Sequence, residues 1–108
     1  MKLVDFELEK RIQELFKARP QRDPYRRFTI LAYQLADVGK SMRYSLIYPA
    51  DRDAHRAYLK TALSDLLIQV LIMARLLGYD PDELLKLGVP RLDEYLKKGD
   101  YVEEINEA

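Results

Sequence analysis

Gln34, Asp37 and Ser41 recur at steps of three and four beside Leu31, Leu35 and Val38, so a polar line runs along the edge of an apolar stripe. Further on, Asp65 and Gln69 fall four apart, next to Leu66 in the most apolar stretch of the chain. An ionised Asp among apolar side chains needs a cation, a metal or a hydrogen-bonding partner. Facing helices in bundle cores use such carboxylates to hold metal ions, and Asp37 and Asp65 are the pair that two neighbouring helices would bring together. The plainer reading pairs Asp65 with an Arg or Lys of a neighbouring helix and leaves Asp37 in solvent beside Lys40 and Ser41. Lys40, Arg43, Arg52, Arg56 and Lys60 flank the connection between the two stretches, where they could reach phosphate oxygens. Tyr44, Tyr48 and Tyr58 could stack a base there, although tyrosines at helical spacing commonly pack in cores or interfaces.

Other chemistries are excluded by inventory. The chain has no cysteine and a single histidine, His55, so thiolate zinc sites, cysteine nucleophiles and multi-histidine metal sites are ruled out. His55 lies beside Arg56 and Asp53 and is expected to be an exposed surface residue. Neither G-x-x-x-x-G-K nor G-x-G-x-x-G occurs.

The elements that must position these residues are helices. Apolar residues recur at helical spacing between four glycines and five prolines, and no segment alternates as a strand would. A first helix is expected over about Leu3 to Ala18, broken by the Arg19–Pro24 segment with its two prolines. A second, about Tyr25 to Leu46, carries the stripe Phe28, Leu31, Leu35, Val38, Met42 and Ser45 or Leu46. A third, about Ala54 to Leu77, with Asp51 or Asp53 as N-cap, carries Leu59, Leu63, Leu66, Val70, Met73 and Leu77. Its second half is apolar nearly all round, which suits the centre of a fold or a subunit interface. Gly78 suits a C-cap, and Asp80-Pro81-Asp82-Glu83 is a strong helix start. A short helix to about Leu87 should follow, stopped by Gly88 and Pro90, then another from about Arg91 to Lys98. The expected architecture is all-α and four-helix-bundle-like: two long antiparallel helices, short C-terminal helices and an acidic tail over about residues 100–108.

One domain is the expectation for 108 residues. The 18 basic and 18 acidic side chains cancel overall, yet residues 1–9 carry −2, residues 10–60 carry +7 and residues 61–108 carry −5. The basic middle could meet phosphate-bearing ligands, or pack against the acidic last third. The longest apolar run, Leu66 to Leu77, is interrupted by Gln69 and Arg75 and falls short of the roughly 20 residues a membrane span needs. The first residues are charged throughout, unlike a signal peptide. A cytoplasmic protein with no membrane partner is expected, and the crowded apolar third helix predicts a homodimer or homotetramer.

The stretches LAYQLADVGKSMRY (Leu31 to Tyr44) and TALSDLLIQVLIMARLLGYDPDELL (Thr61 to Leu85) resemble the MazG-like all-α nucleoside triphosphate pyrophosphohydrolases. That family carries E-x-x-E on one helix and E-x-x-D on a later one, followed by an apolar run and an ending like Arg75-Leu76-Leu77-Gly78-Tyr79-Asp80. The resemblance covers about residues 28–88. It places Gln34 and Asp37 at the first motif and Ala62 and Asp65 at the second, so two of four carboxylates are missing. It implies Mg²⁺-dependent hydrolysis between the α- and β-phosphates of a nucleotide, with Asp37 and Asp65 as catalytic and metal ligands. Gln34, Lys40, Arg43, Tyr44 and Arg56 would bind substrate, and activity would be weakened or lost, because neither glutamine nor alanine brings negative charge to Mg²⁺. The alternative is a non-catalytic helical scaffold of the same fold that works through protein contacts. Nucleic-acid binding through Arg19, Arg22, Arg26 and Arg27 ranks last, since that cluster is short, contains Asp23 and sits in a chain of balanced charge.

Overall fold

In the computed structural model, residues 2–18 and 24–98 are described, and all regular structure among them is helical. Four α-helices follow in order: α1 (Phe6–Ala18), α2 (Pro24–Ile47), α3 (Arg52–Leu76) and α4 (Pro81–Lys98), with a 3-10 turn (Pro49–Asp51) between α2 and α3. The segment expected to break the first two helices and the acidic tail both fall largely outside the described residues.

Helix ends follow their capping chemistry. α1 starts at Phe6, three residues after the expected Leu3, because Asp5 is its N-cap and accepts through Oδ1 from the Leu8 N–H at 2.9 Å. Asp80 Oδ1 accepts from the Asp82 N–H at 3.0 Å and starts α4 the same way. At the end of α3, Gly78 has φ +81°, the Tyr79 N–H donates to the Ala74 carbonyl at 2.8 Å, and Gly78 N–H to Arg75 at 3.1 Å. That is a Schellman closure, which needs a residue at ease in left-handed backbone. Asp51 does occupy the N-cap of α3, but its side chain makes no capping bond. The 3-10 turn leads straight into the helix and leaves Asp51 at φ −107°, ψ 19°, outside the extended region a side-chain cap uses.

The C-terminal part differs from the expected pair of short helices. α4 runs unbroken through Gly88 and Pro90. Pro90 supplies no N–H, so the Lys86 carbonyl loses its usual partner, and the helix continues because the flanking residues still complete their own i to i−4 bonds.

α2 and α3 are the pair that packs extensively. Arg27 Nη1 donates to Gln69 Oε1 at 2.8 Å, the Tyr44 and His55 rings meet at 5.6 Å, and Arg52 Nε reaches the Ser45 carbonyl at 3.4 Å. The buried core is small: Val4, Ile12, Val38, Ala62, Leu71, Ile72 and Ala74. α1 joins through Ile12 and through the ion pair of Glu9 with Arg75, and the Leu3 N–H donates to Asp82 Oδ1 at 2.8 Å.

The expected stripe of α2 is only partly used. Val38 is buried and Leu31 half-buried, while Phe28, Leu35, Met42 and Leu46 are exposed. Instead the polar line faces inward, with Arg27 buried and Gln34, Asp37, Ser41 and Tyr44 half-buried. On α3 the same holds: Leu63, Leu67, Val70 and Leu77 are exposed while Ala62, Leu71, Ile72 and Ala74 are covered. Apolar residues spread over more than one face of each helix, and a single neighbour can cover one face only. By length and composition the segment Pro49–Leu76 is also apolar enough to cross a membrane, with a mean hydropathy of 1.4 over 18 residues, more than the uninterrupted run of the sequence suggests. The central helix of a soluble bundle shares that property.

Candidate functional site

One face of each long helix lines a groove of about 420 Å³. Asp37, Lys40, Ser41 and Tyr44 come from α2, spaced over two turns, and His55, Tyr58, Thr61, Ala62 and Asp65 come from α3, spaced over three. The volume lies in the range of small-molecule sites. Ala62 is buried, and its methyl group takes far less room than the Glu that the resemblance would place there.

The two carboxylates expected to face each other do line one groove. Asp37 is half-buried and Asp65 exposed, so Asp65 does not need the structural partner that its apolar surroundings in sequence suggested. The ion pairs among the described residues are Arg11–Glu7 and Arg75–Glu9, and neither involves Asp37 or Asp65.

The end of the groove nearest the 3-10 turn is aromatic. The Tyr44 ring meets Tyr48 edge-on at 5.7 Å and His55 edge-on at 5.6 Å, and Tyr48 lies 6.1 Å from His55. Lys40 Nζ sits 5.6 Å from the centre of the Tyr44 ring, a cation–π contact that holds its ammonium at the groove wall. His55 is therefore half-buried rather than an exposed surface residue. Its proximity to charged neighbours in sequence hid the fact that the short turn folds the start of α3 back against Tyr44. Tyr58, expected as a base-stacking ring, and Thr61, linked to the site only by its spacing of four residues from Asp65, complete the wall.

Gln34, Arg43 and Arg56 lie outside the lining. Gln34 is half-buried one turn before Asp37, and Arg43 and Arg56 are exposed. Among the described residues, Lys40 is the one Lys or Arg in the lining. The arginine cluster weighed for nucleic acid does not form one surface: Arg26 is exposed, but Arg27 is only 3% exposed and turns inward to Gln69. Arg19 and Arg22 lie outside the described residues. Burial holds the Arg27 guanidinium below its usual pKa, and among the described residues its Nε and Nη2 have no hydrogen-bond partner.

As a metal site the groove has a sparse donor set. Among the described residues no three His, Cys, Asp or Glu side chains gather as metal ligands. Two carboxylates suit a single Mg²⁺ that arrives with phosphate oxygens and keeps several waters, but not a cluster of metal ions. The groove thus combines two acids, one ammonium, two aliphatic hydroxyls and a cluster of edge-on and tilted rings. No family model matches this chain, and neither a curated protein nor a solved structure does.

Proposed function

We propose that the groove between α2 and α3 binds a nucleoside triphosphate with Mg²⁺, in a MazG-like fold whose pyrophosphohydrolase activity is weakened or lost. The observation that carries this reading is that Asp37 and Asp65 line one groove together with Lys40 and the ring group of Tyr44, His55 and Tyr58. In it the rings take the base, Lys40 takes a phosphate oxygen, and Asp37 and Asp65 hold the ion together with the phosphates. A bound Mg²⁺ would neutralise phosphate charge. Asp37, half-buried, has the more restricted rotamers and sets the position of the site, while the exposed Asp65 and Thr61 lie on the open side. Arg43 and Arg56, exposed near the turn, would engage only a ligand long enough to leave the groove.

The cross-helix contacts 27 to 69, 44 to 55 and 45 to 52 support antiparallel long helices, since the residue numbers of each pair sum to nearly the same value. A homodimer or homotetramer in the cytoplasm belongs to the same reading. The exposed edges Phe28, Leu35 and Met42 of α2 and Leu63, Leu67, Val70 and Leu77 of α3 repeat at coiled-coil spacing and would cover each other in a second copy. Those edges also favour a second reading, a non-catalytic scaffold of the same fold that works through protein contacts.

The test is calorimetric titration with a non-hydrolysable nucleoside triphosphate, with Mg²⁺ and with EDTA, on wild type and Asp65→Ala. Because Asp65 is exposed, the variant keeps the fold, and binding should weaken about tenfold, equivalent to roughly 1.4 kcal/mol. Identical titrations of the two proteins would remove Asp65 from the site, and no heat in any arm would leave the scaffold reading.

A further inference from the structure

α4 leaves the body of the protein. Every residue from Glu83 to Lys98 is exposed, and the first turn of α4 is tied to the body through buried Pro81 and the Asp82 carboxylate. The chain has a radius of gyration of 16.9 Å, against about 13 Å for a compact chain of this length. Yet α4 is strongly amphipathic. At 100° per residue, Leu84, Leu85, Val89, Leu92 and Leu96 fall on one stripe, and their exposures run from 39% to 55%. Asp82, Lys86, Asp93 and Lys97 fall along one edge of it.

The order of charge on that edge identifies what covers the stripe. If two copies of α4 lie antiparallel about a two-fold axis near residue 90, Asp82 of each stands opposite Lys97 of the other, and Lys86 opposite Asp93. All four charges of each copy then meet an opposite sign in one register, and the leucine stripes face each other. A parallel pair would carry that edge to opposite sides of the seam and leave its four charges without a counterpart. We propose that α4 is an assembly arm that pairs antiparallel with α4 of a second copy. An 18-residue helix is about 27 Å long, so the pair is a short contact that adds to any pairing of the α2 and α3 edges and does not depend on it. It is separate from the groove as well.

The chain has no cysteine, so single substitutions report on this contact cleanly. Val89→Cys lies beside the axis and should be joined into covalent dimers by a short bismaleimide. Leu96→Cys is on the same stripe, but its two copies would stand about 20 Å apart along the pair and should not be joined. Lys86→Glu in the Val89→Cys background should lower the yield about tenfold by setting like charges opposite one another, and adding Asp93→Lys should restore it. Circular dichroism of each variant shows that α4 stays helical. Equal cross-linking at positions 89 and 96 would overturn the antiparallel pair. So would the absence of cross-linking at 89, which is the outcome if residues after Lys98 or another protein cover the stripe. Failure of Asp93→Lys to rescue Lys86→Glu would overturn the register.

Discussion

Arg27 is a buried charge with incomplete hydrogen bonding. Among the described residues its guanidinium has one hydrogen bond, to Gln69, and Nε and Nη2 have no partner. Removing the only partner of a buried charge costs more than removing the charge itself. Gln69→Leu should therefore lower stability by about 1.5–3 kcal/mol, whereas Arg27→Met should leave it unchanged or raise it by about 1 kcal/mol. Denaturant midpoints of the two variants and of their double substitution measure both signs, and a stability loss in Arg27→Met equal to that in Gln69→Leu would contradict the account. Glu9 gives a pH-dependent counterpart. The hydrogen bond from Arg75 holds the Glu9 carboxyl below its ordinary value of 4.5, and the Arg75 guanidinium is pushed up in return. A depressed carboxylate contributes stability above the unfolded value, and that contribution is lost as pH falls through the folded one. Both side chains are about one-third exposed, so the contribution is under about 1 kcal/mol. Glu9→Gln should lower the melting temperature slightly at pH 7 and bring the two proteins together well below pH 4.5, measured by thermal melts across pH.

Among the elements, the two glycines near α4 make opposite predictions. Gly78 closes α3 at φ +81°, so Gly78→Ala should cost about 1–2 kcal/mol despite the open space around it. Gly88 lies inside α4, where an added methyl group meets nothing within 4 Å, so Gly88→Ala should stabilise that helix by up to about 1 kcal/mol. Chemical denaturation of both variants checks the pair. The helices themselves were legible in the sequence because apolar spacing, Asp80 and Gly78 are local signals. Continuity through Pro90 was not, since the Gly88 and Pro90 stop signals outweighed the stripe from Leu84 to Leu96. Nor was the inward face of α2 legible. Phe28, Leu35, Met42 and Leu46 make a better apolar stripe than Arg27, Gln34 and Ser41, and the buried face depends on where Gln69 and Ala62 of α3 stand. For the groove, residue types pointed to Asp37, Asp65, Lys40 and Tyr44, whereas His55 and Thr61 joined only once the turn was known.

At the scale of the molecule, the described residues leave much of their apolar surface uncovered. Phe28, Leu35, Met42, Leu63, Leu67 and Leu77 stand at 46% to 58% exposure, and α4 carries a second uncovered stripe. An exposed surface of this kind marks an interface in assemblies. Leu67→Glu should then reduce the particle mass in light scattering without loss of helicity, and an unchanged mass would exclude the α3 edge from the assembly. Whatever the assembly, the proposed function rests on the groove between α2 and α3. The most direct measurement is titration of the intact protein with a non-hydrolysable nucleoside triphosphate in Mg²⁺ and in EDTA, repeated on Asp37→Ala and Asp65→Ala. The account predicts binding that requires Mg²⁺ and weakens in both variants. Binding that is indifferent to the metal and to both carboxylates, or none at millimolar nucleotide, would contradict it.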